Sequence, residues 1–233
     1  MQFANHSINL SEPRIMGILN VTPDSFSDGG QHTSTQHAAQ HALKMVEHGA
    51  TFIDIGGEST RPGAKEVALQ EELDRTIPVI EAISANSDCV ISIDTSKAQV
   101  MTEAVNAGAG LINDVRALRE PGALAAAAKA KVPVCLMHML GQPRTMQSHP
   151  KYNDVVADVS QFLLERIEAC ISEGIDKSSI LLDPGYGFGK SLEHNYALVK
   201  YLPDIMALGL PVLVGMSRKS MIGKLLDRNV DER

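Results

Sequence analysis

The chain has 233 residues, of which 44% are hydrophobic and 21% charged, with a formal net charge of −7. This length suits one large domain, since single α/β barrels run to roughly 250 residues. The acidic balance argues against a nucleic-acid or anionic-membrane surface, yet a local anion site built from a few side chains and backbone amides remains open.

Met1 to Arg14 contain no basic stretch leading into an apolar run, so no signal peptide is expected. No later run approaches the ~20 apolar residues that cross a bilayer. From there a unit recurs: a short apolar run, a polar residue, a loop, then a stretch of helical periodicity. The runs are Ile15–Leu19, Thr51–Ile55, Val90–Ile93, Leu111–Ile112, Val132–Met137, Ile180–Leu182 and Pro211–Val214. They are mostly continuous, as in parallel strands covered on both faces.

Ala38, Ala42, Met45 and Val46 share a helical face that stops at Gly49. Val155, Val156, Val159, Phe162, Leu163, Ile167 and Ile171 do the same before Gly174. Thr95 or Ser96 can N-cap the segment that ends at Gly108. Cys89, Cys135 and Cys170 form no CxxC, and the last two lie in apolar surroundings, which implies small buried thiols in a reducing compartment. The cytoplasm is the expected location.

Alternating strands and helices without a linker imply one α/β domain. Asn20, Asp54, Asp94, Asn113 with Asp114, His138 and Asp183 close or follow six of the runs. Chemistry spread over the ends of many strands favours a (β/α) barrel over an open doubly wound sheet, which gathers it at a switch point. Only seven strand-like runs are visible where a closed barrel needs eight. Either the first fourteen residues supply a strand or the final strand–helix unit is missing from this chain.

Asp54, Asp94 and Asp183, with Asn113 beside them, should converge at the barrel mouth. A single aspartate there would read equally well as a helix cap. Three with an asparagine suit a flat, nitrogen-rich heterocycle with adjacent N–H donors. Two long glycine-rich loops, residues 21–30 and 56–63, follow the first two strands, and Thr60 and Arg61 equip the second to clamp a polar or anionic substrate. Both loops are expected to be mobile without ligand. Gly215-Met216-Ser217-Arg218-Lys219-Ser220 offers hydroxyls and cations before a helix, an arrangement that suits an anion.

Gly185-Tyr186-Gly187-Phe188-Gly189-Lys190-Ser191 imitates a phosphate-binding loop, but the glycine spacing is wrong, because the required position holds Pro184. His37 and His41 share a helix face without a third ligand and read as solvated surface. No nucleophile elbow is present.

At this point the residues resemble a known family. Leu19-Asn20-Val21-Thr22-Pro23-Asp24-Ser25-Phe26-Ser27-Asp28-Gly29-Gly30 and Asp54-Ile55-Gly56-Gly57-Glu58-Ser59-Thr60-Arg61-Pro62-Gly63 look like two signature segments of bacterial dihydropteroate synthases. Asp94-Thr95, Ile112-Asn113-Asp114, the run from His138 to Met146, Leu182-Asp183-Pro184-Gly185 and Gly215-Met216-Ser217-Arg218-Lys219-Ser220 follow in the family's order.

The resemblance implies an eight-stranded barrel, one pterin-binding domain over 1–233, and usually a homodimer. It implies condensation of a 6-hydroxymethyl-7,8-dihydropterin diphosphate with p-aminobenzoate, assisted by Mg²⁺, in an enzyme that sulfonamides target. Asp94, Asn113, Asp183 and Lys219 match pterin positions, with Met137, Asp54 and Phe188 nearby. Thr60, Arg61, Pro62, Lys219 and Ser220, with Phe26, match the p-aminobenzoate region, and Asn20 a metal-associated position. Asp54, Asp94 and Lys219 are the residues expected to act on the reaction itself. The family's last strand carries an Arg-x-His motif, and this sequence ends before it. A pterin-dependent methyltransferase, or a silent pterin-binding homologue, would share the barrel and its aspartates.

Overall fold

The structure is a computed structural model that describes residues 1–22, 30–59, 65–141, 150–229 and 232, with 30–33 as backbone only. Two short strands come first, β1 (Gln2–Phe3) and β2 (His6–Ser7), paired antiparallel. Then follow β3 (Met16–Asn20), α1 (Gly30–Glu47), β4 (Phe52–Gly56), α2 (Leu69–Ser84), β5 (Val90–Asp94) and α3 (Ala98–Asn106). After these come β6 (Leu111–Asp114), α4 (Ala123–Ala130), β7 (Val134–Met137), α5 (Val155–Ser172), β8 (Ile180–Asp183), α6 (Leu192–Lys200), α7 (Leu202–Met206) and α8 (Ser220–Leu226).

Strands β3 to β8 form one parallel sheet in unbroken chain order. The run 211–214 joins its far edge through the Leu182–Val212 bridge, with Leu213 donating to the Leu182 carbonyl at 2.8 Å. An open doubly wound sheet reverses its strand order at a switch point; this sheet never does, and the fold is a TIM-type α/β barrel. All seven runs read from the sequence take part in the sheet. The first fourteen residues do not, since β1 and β2 pair only with each other. Among the described residues, β3 therefore has one sheet neighbour, and Ile15 and Ile18 are 64% and 55% exposed.

Side chains alternate across each strand, and the alternation sorts the residues into two cores. Ile53, Ile55, Ile91, Ile93, Ile112, Leu136, Ile180 and Leu182 face the helices and join the main apolar cluster. Phe52, Val90, Leu111, Cys135 and Leu181 face the barrel axis and form a second cluster. Phe3, fully buried, closes this second cluster from below, its ring 5.0 Å from Phe52 in an edge-on contact at 78°. The β1–β2 hairpin thus plugs the N-terminal end of the barrel and leaves the other end for polar groups.

The capping expectation for α3 needs correction. Its N-cap is Lys97, whose side chain makes no cap bond. Thr95 accepts from the Lys97 amide at 3.2 Å, while Ser96 donates to Asp114. Helix α5 is capped by Asp154, which accepts from the Val156 and Ala157 amides.

Because Phe3 fills the base of the barrel, Phe3→Ala should lower stability by about 3–5 kcal/mol. A urea titration followed by circular dichroism reads this directly; an unchanged midpoint would show that the hairpin does not plug the barrel.

Candidate active site

The inward positions turn polar as the strands climb. Register pairs Asp54 with Ser92, Gly56 with Asp94, Asp94 with Asn113, and Met137 with Asp183. Asn20 pairs with Gly56 at the same height. Asp94, Asn113, Met137 and Asp183 therefore sit at the C-terminal rim, with Asp54 one layer below.

Asp54 is buried and accepts two hydrogen bonds, from Ser92 Oγ at 2.6 Å and Asn113 Nδ2 at 3.1 Å. Both donors are neutral, so burial still pushes its carboxyl above the ordinary 3.8, and the Asp183 charge adds to this. Asp94 goes furthest. It accepts no hydrogen bond from the described residues, and burial raises it well above the ordinary value, followed by repulsion from Asp54, Asp114, Glu72 and Glu58. Asp183 accepts from the Gly185 amide at 2.7 Å; burial raises it against the pull of the Lys219 and Lys190 charges.

Lys219 is the rim's cation. Its Nζ donates to the Tyr186 carbonyl and lies 4.5 Å from the centre of the Phe188 ring. Burial lowers its pKa, and the Asp183 carboxylate opposes the change. Phe188 joins Val115, Met137 and Met139 in a small apolar wall beside the aspartates. A wall of this kind with carboxylates at its edge suits a flat ring with N–H groups along one side. Asn20 stands exposed at the rim, its amide oxygen close to Gly56, and Ser220 is the exposed first residue of α8. Phe26, Thr60, Arg61 and Pro62 lie outside the described residues, as do the cores of the two loops expected to be mobile.

Asp114, grouped with Asn113 in the sequence, plays a different part. It points to the helix side and accepts from Ser96 Oγ and from the Arg116 and Leu118 amides, which fixes the turn after β6. His138 is buried away from the rim with its Nδ1 against Lys190.

Sequence reading missed Ser92, although the alternation Val90-Ile91-Ser92-Ile93-Asp94 signals an inward hydroxyl below an inward acid. It also missed Glu72, a helix residue only 1% exposed that accepts from Thr95 Oγ1 at 2.5 Å. Lys97 bridges Glu72 and Glu58, and Arg75 donates to the Gly57 carbonyl at 2.7 Å. This network fixes residues 57–59 beside Asp94, at the start of the loop that carries Thr60, Arg61 and Pro62. No local pattern reveals it, because the partners lie far apart in the chain.

Residues 16–233 match the family model described as pterin binding enzyme. The dihydropteroate synthase of Escherichia coli (strain K12) is 58% identical over 227 residues, covering 97% of this chain and 80% of that protein. A crystal structure of the Yersinia pestis dihydropteroate synthase with a sulfonamide drug complex superimposes with a TM-score of 0.94 at 57% identity. That match covers 100% of this chain and 85% of the other. The Xanthomonas albilineans dihydropteroate synthase in complex with 7,8-dihydropteroate gives a TM-score of 0.89 at 51% identity, covering 99% and 82%.

The Asp94 environment has a testable electrostatic consequence. A carboxyl raised in the folded state destabilises the protein once pH exceeds the unfolded value near 3.8, fully so above the folded value,. Asp94→Asn should therefore raise the ligand-free melting temperature at pH 7, by roughly 2–4 °C per kcal/mol relieved. The gain should shrink toward zero as pH falls to about 4. Melting curves across that range would contradict the assignment if the variant were less stable at pH 7.

Proposed function

This chain belongs to the pterin-binding enzyme family, and we infer that it catalyses the dihydropteroate synthase reaction. It joins 6-hydroxymethyl-7,8-dihydropterin diphosphate to p-aminobenzoate, giving 7,8-dihydropteroate and diphosphate in folate biosynthesis. The observation that carries the assignment of residues is the meeting of Asp94, Asn113 and Asp183 at one rim, above a plugged barrel and beside the Met137–Phe188 wall.

The pterin ring lies against that wall. Its N–H edge donates to Asp94 and Asp183, Asn113 supplies both a donor and an acceptor, and Lys219 donates to a ring acceptor. As diphosphate leaves, positive charge grows on the pterin methylene, and Asp54 and Asp94 stabilise it in a site with little competing water. The aniline nitrogen of p-aminobenzoate attacks as a neutral amine, so no covalent enzyme intermediate is needed. The nitrogen then loses a proton. Phe26, Thr60, Arg61, Pro62 and Ser220 form the p-aminobenzoate side, with the Arg61 guanidinium matched to the carboxylate. Residues 1–233 act here as one pterin-binding domain.

Mg²⁺ fits this site in a limited way. Asn20 would offer one exposed neutral oxygen, a hard donor suited to a divalent cation,. The ion supplies charge neutralisation at the departing diphosphate. A homodimer in the cytoplasm completes the proposal. Among the described residues no helix is long and apolar enough to cross a membrane. Tyr201, Met206, Leu225 and Leu226 leave apolar surface exposed for a second copy to cover.

The test is diphosphate release dependent on both substrates, with no methyl transfer from methyltetrahydrofolate. Lys219→Ala should cut turnover roughly tenfold to a hundredfold, the loss of a charge-assisted hydrogen bond worth about 1.5–3 kcal/mol, and should leave the melting temperature nearly unchanged. Full activity of that variant at low substrate concentrations would remove Lys219 from the mechanism.

A further inference from the structure

The glycine-rich segment 185–191, which imitates a phosphate loop in sequence, is built around a cation instead. A phosphate loop aims backbone N–H groups inward. Here Lys190, 4% exposed, turns back into its own loop and carbonyl oxygens surround it. Its Nζ donates to Gly185 O at 2.9 Å, Phe188 O at 3.0 Å and His138 O at 3.3 Å, and meets His138 Nδ1 at 2.9 Å. Three of these four partners can only accept, which favours the ammonium form, while burial pulls the group from 10.5 down to about 7,. The imidazole completes the cage as a neutral ring: burial first, then the Lys190 charge, push His138 down to about 3.

The cage ties two strand-end loops together, the one after β7 and the one after β8. Glycines make the approach possible. A Cβ at Gly185 would stand 1.9 Å from the His138 carbonyl oxygen, and one at Gly189 would stand 2.8–3.1 Å from Leu140 atoms. Both residues, with Gly187 between them, have positive φ, at 70°, 80° and 63° in chain order. From the far side, Asn195 on α6 accepts from the Gly187 amide at 2.7 Å and donates to the Ser191 carbonyl at 2.6 Å. Gripped at both ends, the loop presents two features to the rim: the Phe188 ring and the Tyr186 carbonyl that receives Lys219.

We propose that Lys190 is a positioning residue of the pterin site, whose buried Nζ clamps the 185–190 loop to His138 and so fixes Phe188 and Lys219 for the pterin ring. This rests on the pterin-binding reading above. Lys190 touches no substrate; it acts through the loop. Removing it leaves three carbonyls without their donor in a buried space, and the loop relaxes to find others,.

The experiment compares Lys190→Met, close in length and uncharged, with the unaltered chain. In the ligand-free protein, amide exchange of residues 183–191 should quicken at least tenfold, while strands β5 and β6 exchange as before. Binding of 6-hydroxymethylpterin, followed by calorimetry, should weaken at least tenfold. The KM for p-aminobenzoate at saturating pterin diphosphate should stay within about twofold, a split that general loss of stability would not produce. Asn195→Ala, which loosens the same loop from the α6 side, should give the same pattern more weakly. It decides the matter if Lys190→Met does not fold.

Unchanged exchange or unchanged pterin affinity, in whichever of the two variants folds, would overturn the proposal, as would an equal loss for both substrates. Failure of the unaltered chain to bind 6-hydroxymethylpterin would instead strike the pterin reading, and the positioning role would fall with it. Loop exchange in the free protein separates the two cases, because it reports the clamp whether or not a pterin binds.

Discussion

Asp54 lies beneath the rim of the barrel with only two neutral donors, Ser92 and Asn113, to replace its hydration. Asp94 stands above it with none among the described residues. Both are held in an environment that disfavours their charge, and the rest of the molecule is arranged to keep them there. The hairpin with Phe3 seals the axis from below, so water does not reach the carboxylates from that end. The inward positions on β4 to β8 are apolar at the base and mostly polar at the top because side chains alternate with a period of two and the strands run parallel,. Every strand then delivers its last inward residue to the same end.

Under the proposed function, the cost of this arrangement is itself the means of recognition. A carboxylate lacking donors gains more from a ligand N–H group than one already satisfied, because the ligand replaces solvation that folding removed. Repulsion among Asp54, Asp94, Asp114, Glu58 and Glu72 acts in the same direction. It disfavours the empty site and favours a partner that carries hydrogen-bond donors or develops positive charge. Lys97, between Glu58 and Glu72, limits how far the repulsion extends and steadies residues 57–59 at the edge of the site.

Cations are distributed by the same logic. Lys219 stays at the rim, half-buried, where it can meet a substrate. Lys190 is withdrawn into a cage of carbonyls and serves the loop. The two lysines differ in what their side chains touch. Gly185 and Gly189 account for the difference, since any larger residue there would force the β7 and β8 loops apart.

The sequence by itself determined the class of fold, because seven apolar runs alternating with helical faces have few other ways to bury themselves. It also pointed to Asp94, Asn113 and Asp183, which follow their apolar runs and so stand at the C-terminal ends of strands, where those with inward register reach the barrel mouth. Those readings rest on local pattern, which a linear chain records. Tertiary structure alone decided what depends on distant pairing. The first residues could have been a strand of the barrel and are its plug, because β1 and β2 pair with each other and Phe3 finds Phe52. Asp114 and Asn113 are neighbours in sequence with opposite duties, since consecutive residues of a strand face opposite sides. Glu72 carried no signal, as its partners lie 23 to 25 residues away, and Lys190 carried only that of a phosphate loop, because its contact with His138 spans 52 residues. Burial makes such groups matter, and burial is set by which surfaces meet, a quantity that no short window of sequence contains.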